Sequence, residues 1–265
     1  MKQRMSSEFI YQLFALLIAV IVVHAVYVGA IRPSADAHIK KEMEMQASGV
    51  DFVPERSLTV VIRDYEQESC FILLIWALAI MGYKGRRTIH EQRLLDRRLL
   101  EIPEGTTLLP QDAREYSRSL EALPEQEQDY LLPRTLLSAL QRFATTGSIQ
   151  AVSDTIKESC EVESDRLDSE LSMVRYIAWA IPSIGFIGTV RGIGDALGQA
   201  YKAVEGDITG VTVSLGVAFN STFVALVLSI IIMFCLHQLQ LSQERLVLDC
   251  QRYADKRLLR FLVVH

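Results

Sequence analysis

The stretch AIPSIGFIGTVRGI, residues 180–193, is the most informative part of this chain. It is apolar enough to lie in a membrane, but it is rich in glycine and carries Pro182, Thr189 and Arg191. Glycine-rich membrane helices approach their neighbours closely, and polar groups at membrane depth face protein or water rather than lipid. We therefore expect this stretch to form a wall inside the membrane part of the protein.

Four apolar blocks organise the 265 residues, of which 50% are apolar. The blocks are Phe9–Ile31, Cys70–Tyr83, Val174–Gly194 and Val211–Leu239. A helix needs about 20 apolar residues to cross the hydrocarbon layer, and three blocks satisfy this. The second block has 14 residues and is also compatible with a buried soluble helix. Because Trp76 and Tyr83 are typical of interfacial anchors, we interpret it as a short span.

The first block, Phe9–Ile31, also resembles a secretory signal peptide. Lys2 and Arg4 precede it, and Ala35-Asp36-Ala37 resembles a cleavage site. However, the apolar core of a signal peptide has about 7–15 residues, whereas this block has 23. We therefore predict an uncleaved anchor.

The distribution of Lys and Arg orients the four spans, because basic residues accumulate on the cytoplasmic side. Residues 84–98 and 238–265 are basic, whereas 32–69 and 195–210 carry more acidic than basic residues. This pattern predicts an all-α, multi-span membrane protein with four transmembrane helices and both termini in the cytoplasm.

The same patterns divide the chain into four regions. We predict the first two transmembrane helices with an outer loop 32–69 in residues 1–84, a cytoplasmic helical segment in 85–173, the third and fourth transmembrane helices in 174–239, and a cytoplasmic C-terminal helix in 240–265. Apolar residues recur at helical spacing before the third span, so we expect the last two spans to continue into long cytoplasmic helices. In the outer loop, Phe52–Val53 and Leu58–Ile62 are compatible with short strands or with an interfacial helix.

Hydroxyl and amide groups interrupt the last two spans. Thr189 lies in the third, and Asn220, Ser221 and Thr222 lie together in the fourth. A threonine in a membrane helix often bonds its own backbone four residues earlier, which requires no function. Hydroxyls on adjacent spans also suit a path for water and protons, because each hydroxyl donates and accepts hydrogen bonds. We take these four residues as a candidate proton pathway.

Small residues and a proline shape the third span. Gly185, Gly188 and Gly192 follow helical spacing and form a close-packing face, which is equally compatible with helix packing inside one subunit. Pro182 removes a backbone donor and is expected to kink the helix, which frees a carbonyl for a neighbour or for water.

The four predicted spans lack a central Asp or Glu. Arg191 and Asp195, near the outer end of the third span, are spaced to pair with each other, although Arg191 is also long enough to extend outward to water. Hydroxyls do not titrate near neutral pH. If protons are carried, the titrating group must therefore come from another chain.

Other classes of function find no support in the sequence. The four cysteines form no disulfide or metal-binding pattern, and the net charge of −5 without a dense basic tract argues against nucleic-acid binding. We find no catalytic motif, so we expect neither an enzyme nor a bound cofactor or metal.

Two stretches resemble the MotA/TolQ/ExbB proton-channel family. Residues 182–193, PSIGFIGTVRGI, are similar to its third-span motif, and residues 215–227, LGVAFNSTFVALV, are similar to its final span. Within this resemblance, Thr189 and Thr222 match the pore-lining threonines, and Pro182 matches the third-span proline.

The resemblance implies a subunit of a bacterial inner-membrane, energy-transducing complex. It further implies a homo-oligomeric ring, generally a pentamer, around a single-span partner of the MotB/ExbD/TolR type that supplies the protonated aspartate. The membrane lipid would surround this ring.

The chain also departs from the family pattern. Val217 stands where some final spans carry an acidic residue, residues 229–234 lack the proline of the MotA-type final span, and the loop 32–69 is longer than is typical of MotA. The resemblance leaves open which process is driven and whether the ion is H⁺ or Na⁺. A non-conducting membrane scaffold or sensor, with a ligand bound by loop 32–69, is the alternative interpretation.

Overall fold

The structure is a computed structural model that describes residues 2–47, 57–100, 102–103 and 105–263. Over these residues its regular secondary structure is helical, without strands. The helices are α1 (Lys2–Val26), α2 (Arg32–Ala47), α3 (Leu58–Val61), α4 (Tyr65–Leu95), α5 (Ala113–Glu121), α6 (Glu125–Gln128), α7 (Leu131–Thr146), α8 (Ile149–Glu170), α9 (Ser172–Gly198), α10 (Ala200–Val204) and α11 (Thr209–Arg257). A π-helical segment, Tyr27–Ile31, joins α1 to α2, and a 3₁₀ turn, Leu259–Phe261, follows α11.

The described residues contain four helical stretches that are long and apolar enough to cross a membrane. They are Glu8–Glu42, Tyr65–Leu95, Ile149–Gly198 and Thr209–Phe261. The prediction of an all-α chain with four membrane-spanning helices is therefore confirmed. The protein is a multi-pass membrane protein.

Several boundaries differ from those expected from hydropathy. The second apolar block lies inside α4, which has 31 residues and is long enough to span a bilayer without thinning it. Leu58–Val61 forms one short helical turn rather than a strand, whereas Phe52–Val53 lies outside the described residues. Before the third span, α8 and α9 are separated only by the turn residue Leu171.

The chain divides into two compact units. The first comprises residues up to Met81 together with Met173–Leu236, and the second comprises Gly82–Ser172 and His237–His265. In the first unit, glycine residues of α9 pack against the first part of α11. Many of its large apolar side chains are exposed, as expected for surfaces that face lipid or other subunits.

The second unit has a conventional hydrophobic core. Its fully buried members include Leu136, Leu140, Phe143 and Ile156, contributed by α7 and α8. Gly147 ends α7 in the left-handed conformation at φ 59°, which favours glycine. The unit can therefore bury its apolar helix faces among its own helices.

A buried carboxylate joins two helices of the second unit. The side chain of Glu163 on α8 is 2% exposed and pairs with Arg134 on α7 at 2.7 Å and with Arg166 on α8. Burial by itself raises the pKa of the Glu163 carboxyl. The hydrogen bonds and charges of the two arginines outweigh burial and lower the pKa below its ordinary value. This cluster lies outside the predicted third span.

Candidate functional site

The third and fourth spans approach each other along a seam of glycine residues on α9. A Cβ atom added at Gly185 would lie 2.4 Å from Ala225 Cβ, and one added at Gly192 would lie 2.8 Å from the backbone nitrogen of Ala218. Real Cβ atoms do not approach other atoms so closely, so these two positions accept only glycine without a shift of α11. Gly188 belongs to the same face, because a Cβ there would lie 2.5 Å from Ser221 Cβ. The helices pack here backbone against backbone, within one chain.

The hydroxyls of Thr189 and Thr222 meet in this seam. The two Oγ1 atoms are hydrogen-bonded to each other, and both hydroxyls also lie within hydrogen-bond distance of the carbonyl oxygen of Gly185, at 3.2 and 3.1 Å. The Thr189 hydroxyl lies 3.2 Å from the carbonyl of Ala218 as well. Each threonine is half-buried. Because each hydroxyl carries one proton, these contacts are alternatives for it. The backbone contact at i−4 and the contacts between the helices are both within reach, and both threonines approach the carbonyl of Gly185.

The two other polar residues of the candidate pathway lie beside this pair. Ser221 is 1% exposed, and its hydroxyl has no hydrogen-bond partner among the described residues. Asn220 is half-buried, and the part of the chain that the structure describes offers its side chain no hydrogen bond. Such groups retain unused hydrogen-bonding capacity, which water or another polypeptide can take up.

Pro182 lies inside α9 without ending the helix. Because proline has no N–H, the carbonyl of Ala178, four residues earlier, loses its helical donor. The hydroxyl of Ser229 on α11 donates to this carbonyl at 3.3 Å. The neighbouring span thus satisfies the acceptor that the proline frees.

The segment that carries this seam matches a known family. Residues 127–252 match the sequence model of the MotA/TolQ/ExbB proton channel family. This segment, just under half of the chain, is similar to that family. Comparisons with curated proteins and with solved structures gave no match.

The match to the MotA/TolQ/ExbB family includes α9 and nearly all of α11, and with them both threonines. It is a channel family rather than an enzyme family, and it indicates a subunit of the proton-channel type. The first two spans lie outside the matched segment. Their contacts with the seam are therefore known from the structure and not from the family match.

One such contact was not found from the sequence. Arg191 pairs with a residue other than Asp195. Its Nε and Nη2 atoms contact the two carboxylate oxygens of Glu66 on α4, each at 2.8 Å. The interpretation that placed the start of the second span at Cys70 left Glu66 in the outer loop. The only available signal was the spacing of acidic residues just before an apolar block.

A second carboxylate of α4 faces the first two helices of the chain. Glu68 is buried, and its oxygens contact His24 Nδ1 at 2.7 Å and the guanidinium of Arg32. Arg32 also lies over the ring of Tyr65, at 4.3 Å from the ring centroid. The beginning of α4 therefore carries two carboxylates, and each is paired with an arginine from a different neighbouring helix.

Proposed function

We propose that the chain is a proton-channel, stator-like subunit of an inner-membrane energy-transducing complex, which couples proton flow to the movement of a single-span partner. The observation that carries this proposal is the pair of threonine hydroxyls, Thr189 and Thr222, bonded to each other in a glycine-lined seam within the segment that matches the family. A hydroxyl pair of this kind can form part of a hydrogen-bonded chain that runs in either direction, because each hydroxyl both donates and accepts.

The proposed pathway needs a group that holds the proton. The predicted third and fourth spans offer hydroxyls, an amide and Arg191, but neither Asp nor Glu within 174–194 or 211–239. A carboxylate from a partner of the MotB/ExbD/TolR type would supply this group. Discharge of that carboxylate would release the partner to shift relative to a ring of this subunit, a homo-oligomer and most simply a pentamer.

The energy available matches this task. One elementary charge that crosses a potential of 100 mV releases about 2.3 kcal/mol. This exceeds the roughly 0.6 kcal/mol of an average side-chain hydrogen bond between membrane helices. A single proton therefore suffices to exchange one such contact at the seam.

Both termini would lie in the cytoplasm, with the second unit there as well.

The test is proton flux through the subunit reconstituted into lipid vesicles with a single-span partner. We expect the Thr189→Val, Thr222→Val double variant to lose most of the flux, because valine keeps the shape of threonine and removes both hydroxyls. Thr212→Val is the matched control. Thr212 is an exposed residue of α11 whose hydroxyl donates to its own backbone at Ile208. Unchanged flux in the double variant would contradict the pathway, and no flux in the wild type would favour the scaffold or sensor.

A further inference from the structure

The strongest unassigned feature of the first unit is the ion pair between Glu66 and Arg191. The two side chains form parallel contacts of 2.8 Å, the geometry of a bidentate arginine–carboxylate pair. The Glu66 side chain is 12% exposed and that of Arg191 is 44% exposed, so the pair is partly withdrawn from solvent. At such a site a lone charge acts over a longer range than it does in water.

This pair lies next to the candidate proton pathway. A Cβ atom placed on Gly188 would lie 2.7 Å from Ser221 Oγ and 3.1 Å from Glu66 Cγ, so the carboxylate side chain and this hydroxyl are close neighbours. Arg191 follows Gly188 by three residues on α9, so the two positions share one face of the helix and lie about 4.5 Å apart along its axis. The hydroxyl of Ser221 is buried without a partner, which leaves an unused polar group beside the ion pair.

The charges that precede Glu66 and follow it at the start of α4 have partners of their own. Asp64 and Arg63 precede α4, and Arg63 lies 3.7 Å from Asp64 and 3.6 Å from Asp36. Glu68 faces away toward Arg32 and His24. Asp64 also lies near enough to interact electrostatically with Arg191, but Glu66 is the carboxylate in direct contact with it.

We propose that Glu66 makes the outer mouth of the pathway permeable to cations by neutralising Arg191. An unpaired arginine in a pore wall is an electrostatic barrier to protons and other cations. With Glu66 ionised and paired, this barrier is removed without loss of the arginine. The inference rests on the proposed proton-channel function and adds a selectivity element outside the matched family segment.

The size of the effect follows from Coulomb's law. At an effective dielectric constant of about 20, a unit charge within about 10 Å of a path changes the local occupancy of a cation by about tenfold or more. The Glu66→Gln variant keeps the size of the side chain and removes its charge, so we expect proton flux to fall by about this factor.

The experiment compares four variants by proton flux per inserted complex. Glu66→Gln is expected to reduce the flux about tenfold, whereas Arg191→Gln retains at least the wild-type flux because it removes the barrier itself. The double variant Glu66→Gln, Arg191→Gln is expected to conduct within about twofold of wild type. Glu66→Gln combined with Arg191→Lys keeps the positive charge and is expected to remain slow.

The asymmetry of the single variants separates this role from a structural clamp. If the ion pair served only to hold α4 against α9, either substitution would break it equally. An equal loss of flux in Glu66→Gln and Arg191→Gln would therefore overturn the proposal. Wild-type flux in Glu66→Gln would also overturn it. Glu68→Gln is the matched control on the same helix, and its flux is expected to stay unchanged.

The design also separates this inference from the proposed function. If the wild type conducts and the threonine double variant does not, while Glu66→Gln is unaffected, then the pathway stands and the electrostatic role of Glu66 fails. If the wild type does not conduct, the proposed function and this inference both fail.

Discussion

Substitution of Gly185 by alanine tests the packing that brings the two threonines together. The new Cβ would lie 2.4 Å from Ala225 Cβ and 3.2 Å from the Ser221 carbonyl oxygen. Carbon atoms pack best at about 3.5–4.0 Å, so α9 and α11 must separate by about 1 Å. Overpacking of this kind costs about 2 kcal/mol. The shift also weakens the bond from the Thr222 hydroxyl to the Gly185 carbonyl, now 3.1 Å, by about 0.6 kcal/mol.

The assay is unfolding by sodium dodecyl sulfate in mixed micelles, followed by tryptophan fluorescence. Both tryptophans, Trp76 and Trp179, belong to the first unit, so the signal reports on it. Gly194→Ala is the matched control on the same helix, because a Cβ there meets no atom within 4 Å. We expect Gly185→Ala to lower the free energy of unfolding by about 2–3 kcal/mol relative to this control.

A compensating change sharpens the test. In the double variant Gly185→Ala, Ala225→Gly, the shortest collision is removed, so we expect recovery of more than half of the lost stability. Equal stability of Gly185→Ala and Gly194→Ala would refute the close packing of the two spans and, with it, the geometry of the threonine pair.

Two further predictions concern the second unit. Glu163→Gln is expected to lower the unit's free energy of unfolding by about 2 kcal/mol, because it removes the charge of a carboxylate that accepts three hydrogen bonds from Arg134 and Arg166. Since the arginines lower the pKa of this carboxyl below its ordinary value of 4.5, its contribution is present at neutral pH and is lost as the pH falls from that value through the lowered pKa of the folded state. Unfolding measured from pH 7 into the acid range checks this, and a wild-type-to-variant difference independent of pH would contradict it. Burial, followed by neighbouring carboxylates, raises the pKa of the Cys160 thiol to about 11, and burial also raises that of Cys250. At pH 8 we expect iodoacetamide to modify neither thiol until the protein is unfolded, and mass spectrometry of the labelled protein would expose early modification.

The membrane spans were predictable from the sequence because their signals are local. About 20 consecutive apolar residues require a spanning helix whatever the rest of the chain does. Gly185, Gly188 and Gly192 repeat at helical spacing, so the sequence also predicted that they share one face of the helix. The partner of that face was not: only the structure places Ala225, Ser221 and Ala218 against it.

The ion pairs of α4 were not predictable for the opposite reason. Glu66 and Glu68 interrupt hydropathy, so a sequence-based boundary places them outside the span. Their cost in an apolar setting is offset by Arg191 and Arg32, which are distant in sequence. Such pairing depends on tertiary structure, and a single sequence does not encode it in any local pattern.

Pro182 illustrates a partial success. Its residue type alone implies that a carbonyl loses its helical donor. The identity of the replacement donor, Ser229, depends on the register between α9 and α11. That register is set by the glycine contacts, so the local rule and the tertiary packing act together here.

An experimental structure of the subunit, assembled with its single-span partner in a lipid bilayer, would show what the two threonines face. We predict that the seam holding Thr189 and Thr222 borders a hydrated interior occupied by helices of the partner. Acyl chains in contact with both hydroxyl-bearing side chains, around a ring with no central polypeptide, would contradict the account.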